Sequence, residues 1–488
     1  MWDLLRNNDR ICLQGEGDSV LSYGQVDEFS RKLVNIVGGR CLVFVLCNNS
    51  IGAAAGYIAF MNHRIVPVLL NAHSDKELLN NLLTLYCPSY IWTPKEQAEQ
   101  MLGQVVFEEY GYCLIETGYG VQYALHDDLG LLLTTSGSTG SPKFVRQSYE
   151  NIHVNAEQIA EYLELDSSER PITTLPMNYT YGLSIIHSHL LVGATILLTD
   201  KGLMQREFWE FFRAAEATSF GGVPYTYEML ERLRFRTMKL PSLRYMTQAG
   251  GKLSPELHKK FAEYAIENGK KFIVMYGQCE ATARMAYLPA EDSLRKYGSM
   301  GIAIPRGKFT LIDVDGKEIT DAEITGELVY TGPNVTMGYA QKPEELALGD
   351  ERNGRLETGD MARRDEEGYY YIVGRKKRFL KVYGNRVNLD ELDELLKSQY
   401  GNVDCSCAGV DDHVYIFITD ETGQNVSVQL KHEQYNVEKV SEAIRKYISE
   451  KTRLNMAAFE VKVLPEIPKN DAGKIQYREL EKYYSMKI

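Results

Sequence analysis

The densest chemistry in this 488-residue chain lies in Thr134-Thr135-Ser136-Gly137-Ser138-Thr139-Gly140-Ser141-Pro142-Lys143. Gly137 and Gly140 let the backbone turn sharply and approach a ligand closely, while hydroxyls and loop N–H groups can surround phosphate oxygens. Lys143 adds a positive charge. The apolar run Leu131-Leu132-Leu133 leads directly into the loop, so a strand is predicted to feed a phosphate cradle, with a nucleotide as its ligand. A Walker loop is excluded, because its lysine opens a helix. Here Pro142 lacks an N–H donor and biases Ser141 toward extended backbone, so the loop does not run directly into a helix at Lys143.

This segment resembles the phosphate-binding signature of the adenylate-forming enzymes, the superfamily of acyl-CoA synthetases, amino-acid-activating domains of peptide synthetases, and luciferase. Further motifs follow in the superfamily's order. Tyr276-Gly277-Gln278-Cys279-Glu280, after the apolar run Phe272 to Met275, is similar to its Tyr-Gly-X-Thr-Glu element. The resemblance implies that Tyr276 stacks on adenine, Glu280 holds Mg²⁺ on the phosphates, and position 279 bonds the α-phosphate, with Gly277 and Gln278 completing the contact. A carboxylate suits a hard cation that bridges phosphates. Cys279 departs from the usual threonine, and a thiol is the weaker hydrogen-bonding group, so one phosphate contact is expected to be weakened. Upstream, Ala249-Gly250-Gly251 resembles the backbone wall opposite the adenine-stacking tyrosine. Ser254 and Pro255 behind it read as the cap and first residue of a helix.

Gly326-Glu327-Leu328 and Gly338-Tyr339 match the next element, and Thr358-Gly359-Asp360 the one after it. By resemblance, Asp360 accepts hydrogen bonds from both ribose hydroxyls. Gly374-Arg375-Lys376-Lys377-Arg378 looks like the hinge between a large and a small domain. The match implies that Arg375 contacts the nucleotide and Lys377 sits at the pivot. Near the C-terminus, Pro468 to Arg478 resembles the catalytic lysine loop and assigns Lys474 to the developing charge on the α-phosphate and pyrophosphate. The resemblance thus implies catalytic roles for Lys474, Glu280 and Lys143. It implies nucleotide-binding roles for Thr135, Ser136, Gly137, Ser138, Thr139, Gly140, Ala249, Gly250, Gly251, Tyr276, Gly277, Gln278, Cys279, Asp360 and Arg375.

Activity follows from the same resemblance: ATP and a carboxylic acid give an acyl-adenylate and pyrophosphate, then the acyl group passes to coenzyme A or to the phosphopantetheine thiol of a carrier protein. Pro176 to His187, where peptide-synthetase domains place an aspartate for the substrate ammonium, contains no acid. A buried ammonium without a counter-charge is costly, so a fatty, aryl or other non-amino acid is expected, with an amino-acid ligase as the alternative. An adenylate-only or non-catalytic nucleotide-binding relative is the reading from outside that class. Tyr179 occupies the place of the family's gating aromatic. Gly221-Gly222 resembles the acid-pocket strand, where small residues are predicted to leave room for an acyl or aryl group. Lys252 and Arg284 are read as solvated residues with no bearing on the acid; were their heads turned inward, they would imply a second anionic group on it.

The elements that must position these residues follow from periodicity. Cys41 to Leu46 and Ala194 to Leu198 read as buried strands, and Ser74 to Tyr86, with Ser74 and Glu77 as a capping box, as a helix. Asn388 is predicted to cap another helix, with Glu391 closing the box. Asp315-Gly316 and Asp365 to Gly368 read as hairpin turns. Alternating strands and helices predict an α/β fold. The resemblance divides it into a large N-terminal domain of layered sheets and helices (1–375) and a small mobile C-terminal α+β domain (376–488), hinged near Lys377. The chain is 44% hydrophobic and 25% charged, with a net charge of −12, which argues against nucleic acid or an anionic membrane as a bulk partner. No run approaches the length of a membrane span. The first residues lack the apolar core of a signal peptide. The eight cysteines show neither metal spacing nor a disulfide framework, and a cytoplasmic protein is expected.

Overall fold

The computed structural model describes the chain apart from residues 18, 122, 135–142, 384, 402, 430–435, 470–474 and 485–488, and the side chain of residue 386. Thr135, Ser136, Gly137, Ser138, Thr139 and Gly140 of the predicted phosphate loop, and Lys474, therefore lie outside the described residues.

Two large mixed sheets form the N-terminal body. In the first, the strands run in spatial order Gly338–Ala340, Phe144–Ser148, Leu129–Thr134, Val66–Asn71, Leu42–Cys47, Tyr90–Pro94, Tyr112–Glu116 and Gln104–Glu109. Its middle strands are parallel and read as continuous apolar runs because both faces are covered. Leu129–Thr134 is the strand predicted to lead into the phosphate loop, and Phe144–Ser148 returns antiparallel beside it. The loop is thus anchored at both ends within one sheet.

The second sheet carries Ser219–Gly222, Tyr245–Gln248 and Lys271–Tyr276 as consecutive parallel strands. The predicted pocket strand, the strand before Ala249-Gly250-Gly251 and the strand before the Tyr276 motif therefore lie side by side and end at the same edge. Ligands of open α/β sheets gather beyond such carboxyl ends. A third, antiparallel sheet holds Lys308–Ile312, Gly326–Thr331, Arg355–Arg364 and Tyr370–Arg375, and both predicted hairpins occur in it.

The C-terminal residues form a smaller α+β unit: strands Cys405–Val410, His413–Thr419 and Phe459–Leu464 pack on helices Leu389–Tyr400 and Val437–Thr452. Its own core runs from Val382 to Phe459 and includes Cys405 and Cys407. Their i, i+2 spacing puts both thiols on one face of the strand.

Caps show where local reading succeeds. Ser254 Oγ accepts from Leu257 N and Pro255 opens the helix Pro255–Glu267, as predicted. Helix Lys76–Tyr86 is capped by Asp75, one residue past Ser74, because the Asp75 carboxylate accepts from Leu78 N at 2.9 Å. Asn388 does cap helix Leu389–Tyr400, but it accepts from Asp390 N at 3.0 Å and no Glu391 capping box forms.

Candidate active site

Residues from three distant motifs converge on Asp360. Its side chain is buried on strand Arg355–Arg364 and accepts hydrogen bonds at Oδ2 from the Tyr276 hydroxyl and, at 2.8 Å, from Gln278 Nε2. Arg375 Nε reaches the other oxygen, Oδ1, at 2.8 Å. Burial pushes the Asp360 carboxyl above the usual carboxylate range, with Arg375 and the hydrogen bonds opposing it. Strand pairing sets the Asp360–Arg375 contact, since the two residues face each other across antiparallel Arg355–Arg364 and Tyr370–Arg375. The turn at Gly277 tolerates no side chain: a Cβ there would lie 1.6 Å from Ala283 O.

A second cluster adjoins it. Glu280 Oε1 accepts from the Tyr339 hydroxyl at 2.6 Å. Lys143 Nζ stands 3.7 Å from the Tyr339 ring centroid, and the Arg352 guanidinium carbon 4.6 Å from it. Arg352 also donates to Glu280 O at 2.9 Å and to Thr336 Oγ1 at 2.6 Å. Two cations and a carboxylate thus surround one phenol beside the strand that enters the phosphate loop. This constellation suits a polyphosphate, which needs positive charge at fixed positions. Glu280 Oε2 makes no hydrogen bond among the described residues, so one carboxylate oxygen is available to a cation. Mg²⁺ fits such a donor, because it keeps waters and takes its other ligands from phosphates. Among the described residues no group of three His, Cys, Asp or Glu side chains forms a self-contained metal cage. Arg352 was not singled out from the sequence. It follows no motif and acts through the Gly338-Tyr339 element that precedes it.

Tyr179 is the residue before helix Thr180–Leu191, makes no side-chain capping bond, and sets its hydroxyl beside Gly250. A Cβ on Gly250, whose φ is +81°, would lie 2.5 Å from the Tyr179 hydroxyl oxygen, so both conformation and space require glycine there. Burial raises the Tyr179 phenol to about 12, and it stays neutral. Gly251 lies against Pro224, and Ala249 is buried.

Gly221 and Gly222 differ from prediction. Their missing Cβ atoms do not open a pocket: at Gly221 that space is held by Ile185 and Tyr181, at Gly222 by Thr226 and Tyr227. The glycines instead bring helix Thr180–Leu191 and helix Pro224–Arg232 close to strand Ser219–Gly222. Arg284 also departs from its solvated reading. It is 3% exposed, its guanidinium lies 3.9 Å from the Tyr181 ring centroid, and Nε points at Met275 Sδ at 3.4 Å. A sequence signal existed, namely one charge inside the otherwise apolar run Ala283 to Leu288. Lys252 is exposed, as read.

Lys377 is exposed in the short 3₁₀ turn Lys376–Arg378 that follows strand Tyr370–Arg375. The turn is tied to both sides: Lys376 Nζ pairs with Glu327 at 2.6 Å, and Arg378 with Asp390 and Asp393. Beyond it, an isolated antiparallel bridge between Lys469 and Ile475 closes the base of the segment that contains Lys474.

Parallel strands ending in a polar wall, with paired cations at a loop return, define an enzyme that handles a nucleotide. The chain belongs to the AMP-binding enzyme family, whose sequence model matches residues 2–340. It is 27% identical over 440 residues to a 4-coumarate–CoA ligase-like protein of Oryza sativa subsp. japonica, covering 88% of this chain and 75% of that protein. Its fold is similar to the O-succinylbenzoate coenzyme A synthetase of Bacillus subtilis in complex with AMP (TM-score 0.76, 20% identity, 98% of this chain and 97% of that one). The form of that enzyme with ATP and magnesium ion matches with a TM-score of 0.73 and 20% identity, over 97% and 96% of the chains. Among the described residues no helix is long and apolar enough to cross a membrane.

Proposed function

We propose that this protein is an ATP-dependent carboxylic acid–thiol ligase that activates a non-amino acid as its acyl-adenylate and then passes the acyl group to a thiol. The observation that carries this reading is the convergence of Tyr276, Gln278, Asp360 and Arg375 beside the Lys143–Tyr339–Glu280–Arg352 cluster.

An acid carboxylate oxygen attacks the α-phosphorus of ATP, the bond from that phosphorus to the β-bridging oxygen breaks, and pyrophosphate leaves. Asp360 and Arg375 would take the ribose and Tyr276 the adenine against Ala249-Gly250-Gly251. Thr135 to Gly140 and Lys143 would take the β- and γ-phosphates, and Cys279 the α-phosphate. When bound at Glu280, Mg²⁺ would neutralise phosphate charge. Lys474 would oppose the negative charge that grows on the α-phosphate and the departing pyrophosphate. In the second step a thiolate attacks the acyl carbonyl and AMP leaves, with Tyr179 as the gate. We take residues 1–375 and 376–488 as the two domains and Lys377 as the pivot of a swing between half-reactions. Coenzyme A, the acceptor named in the relatives, is the favoured thiol, with a phosphopantetheinyl carrier protein as the other candidate. The eight free cysteines fit a reducing compartment such as the cytosol.

A pyrophosphate-release screen over carboxylic and amino acids, repeated with coenzyme A and with a carrier protein, tests the reading. Release with a carboxylic acid, and thioester formation with one acceptor, is the expected outcome. No release with any acid would mean a nucleotide-binding relative that does not catalyse.

A further inference from the structure

Arg146 lies three residues beyond Lys143, on strand Phe144–Ser148, with its whole side chain buried. Every donor of its guanidinium is engaged. Nε donates to Tyr339 O at 3.0 Å, Nη1 to Leu348 O and to Gly349 O at 3.2 Å, and Nη2 to Met337 O at 3.3 Å and to Glu351 Oε2. Four of the five acceptors are backbone carbonyls, and the fifth belongs to a carboxylate side chain that is 54% exposed. The interaction is therefore chiefly one of geometry: a planar fork of five N–H groups, permanently charged, fixes five oxygens at set angles.

Those oxygens belong to two segments, and each segment carries a group of the phosphate-side cluster. Strand Gly338–Ala340 pairs with Phe144–Ser148 and presents Tyr339, whose hydroxyl donates to Glu280 at 2.6 Å and whose ring centroid lies 3.7 Å from Lys143 Nζ. Residues 348–351 lead into Arg352, which donates to Glu280 O and Thr336 Oγ1 and lies against the same ring. Gly338, with φ +135°, leaves room for the fork to cross: a Cβ there would lie 2.5 Å from Glu351 Oε2 and 2.9 Å from Arg146 Nη2. Burying a guanidinium costs free energy that an apolar side chain at 146 would not. What the fork adds is a fixed distance between the Tyr339 strand and residues 348–351, which lie outside the sheet ladder.

We infer that Arg146 is a positioning residue for the polyphosphate: by fixing the Tyr339 phenol and Arg352 about Glu280 and Lys143, it sets the affinity for MgATP while itself wholly buried. This rests on the nucleotide half of the ligase reading above.

Calorimetric titration with MgATP, in the absence of any acid, reads the effect apart from turnover. Arg146→Met should raise the Kd for MgATP by about 10-fold or more, as losing the support behind a metal-ligating carboxylate does. Arg146→Lys, with three donors in place of five, should recover only part of that loss. Tyr339→Phe should also weaken binding, and in that background the further loss from Arg146→Met should shrink to about threefold or less, because groups that act as a unit are not additive. Glu351→Ala, at the exposed end of the fork, should cost about threefold and stands in if Arg146→Met does not fold. In a pyrophosphate-release assay the KM for MgATP should rise while that for the acid stays within about twofold. Wild-type MgATP affinity in Arg146→Met, or in Glu351→Ala should the former be unfolded, would overturn the inference. So would an undiminished Arg146→Met loss in the Tyr339→Phe background, or equal rises in both KM values. A wild type that binds MgATP but releases no pyrophosphate with any acid would overturn the ligase reading and leave this inference standing, whereas no MgATP binding by the wild type would overturn both.

Discussion

Two charged regions of the molecule are satisfied in opposite ways. In the cluster around Asp360 and Glu280 both carboxylates already have protein partners: Asp360 is engaged by Tyr276, Gln278 and Arg375, and Glu280 by Tyr339. Buried Arg284 has a ring and a sulfur but, among the described residues, no anion. The nucleotide wall is therefore rigid before ATP arrives, and ribose must share or displace contacts that exist. Around Arg284 the fold itself leaves a buried charge without an anionic partner among the described residues. Preorganisation favours ligand binding, whereas an uncompensated buried charge costs stability.

The largest predicted effect breaks the satisfied side. Asp360→Ala removes the buried carboxylate that orients Tyr276 and Arg375 and leaves the Tyr276 hydroxyl and the Gln278 amide without their acceptor. We expect kcat/KM for ATP to fall by roughly 100-fold or more, read in a pyrophosphate-release assay, with the acid preference unchanged. A loss under about threefold would mean that the cluster is structural only.

The unsatisfied side should respond in the other direction. Replacing the lone buried cation by an apolar chain of similar length, Arg284→Met, is expected to stabilise the ligand-free protein on the order of 1–4 kcal/mol, measured by chemical denaturation. A destabilised variant would show that Tyr181 and Met275 fully compensate the charge.

A smaller effect concerns pH. Burial lowers His189 to about 4 and His187 to about 3, from an ordinary value of 6.5, so both are neutral in the folded protein. Their contribution to stability is complete above pH 6.5 and is lost as pH falls toward those folded values, because the unfolded chain takes up the proton first. For His189 the loss at pH 5.5 is on the order of 1 kcal/mol. His189→Asn should flatten the decline of the melting temperature between pH 7 and 5, and an unchanged slope would contradict the assignment.

How far the sequence carries depends on the kind of interaction. The order of motifs from Thr134 to Arg478 identified the family, and strand Leu129–Thr134, both hairpins and the Ser254 cap follow from local chemistry. The choice of Asp75 over Ser74 turned on one residue of backbone geometry, which composition does not encode. Gly221 and Gly222 were legible as small, but whether the space beside them is open depends on Tyr181, Ile185 and Thr226 from helices packed against the strand. Arg284 was read as solvated because arginines usually are. Its burial is set by long-range packing of Tyr162, Tyr181 and Met275, with only the apolar run around it as a local hint. Arg352 was invisible for the same reason, since its partners Tyr339, Thr336 and Glu280 are assembled by the fold.

The central claim is that the substrate carboxylate attacks the α-phosphorus of ATP. Running a turnover with ¹⁸O in both carboxylate oxygens of an accepted acid, and weighing the products by mass spectrometry, tests this most directly. AMP carrying one ¹⁸O, with unlabelled pyrophosphate, is the predicted result. Label in pyrophosphate or inorganic phosphate, or AMP with none, would contradict acyl-adenylate formation at this site.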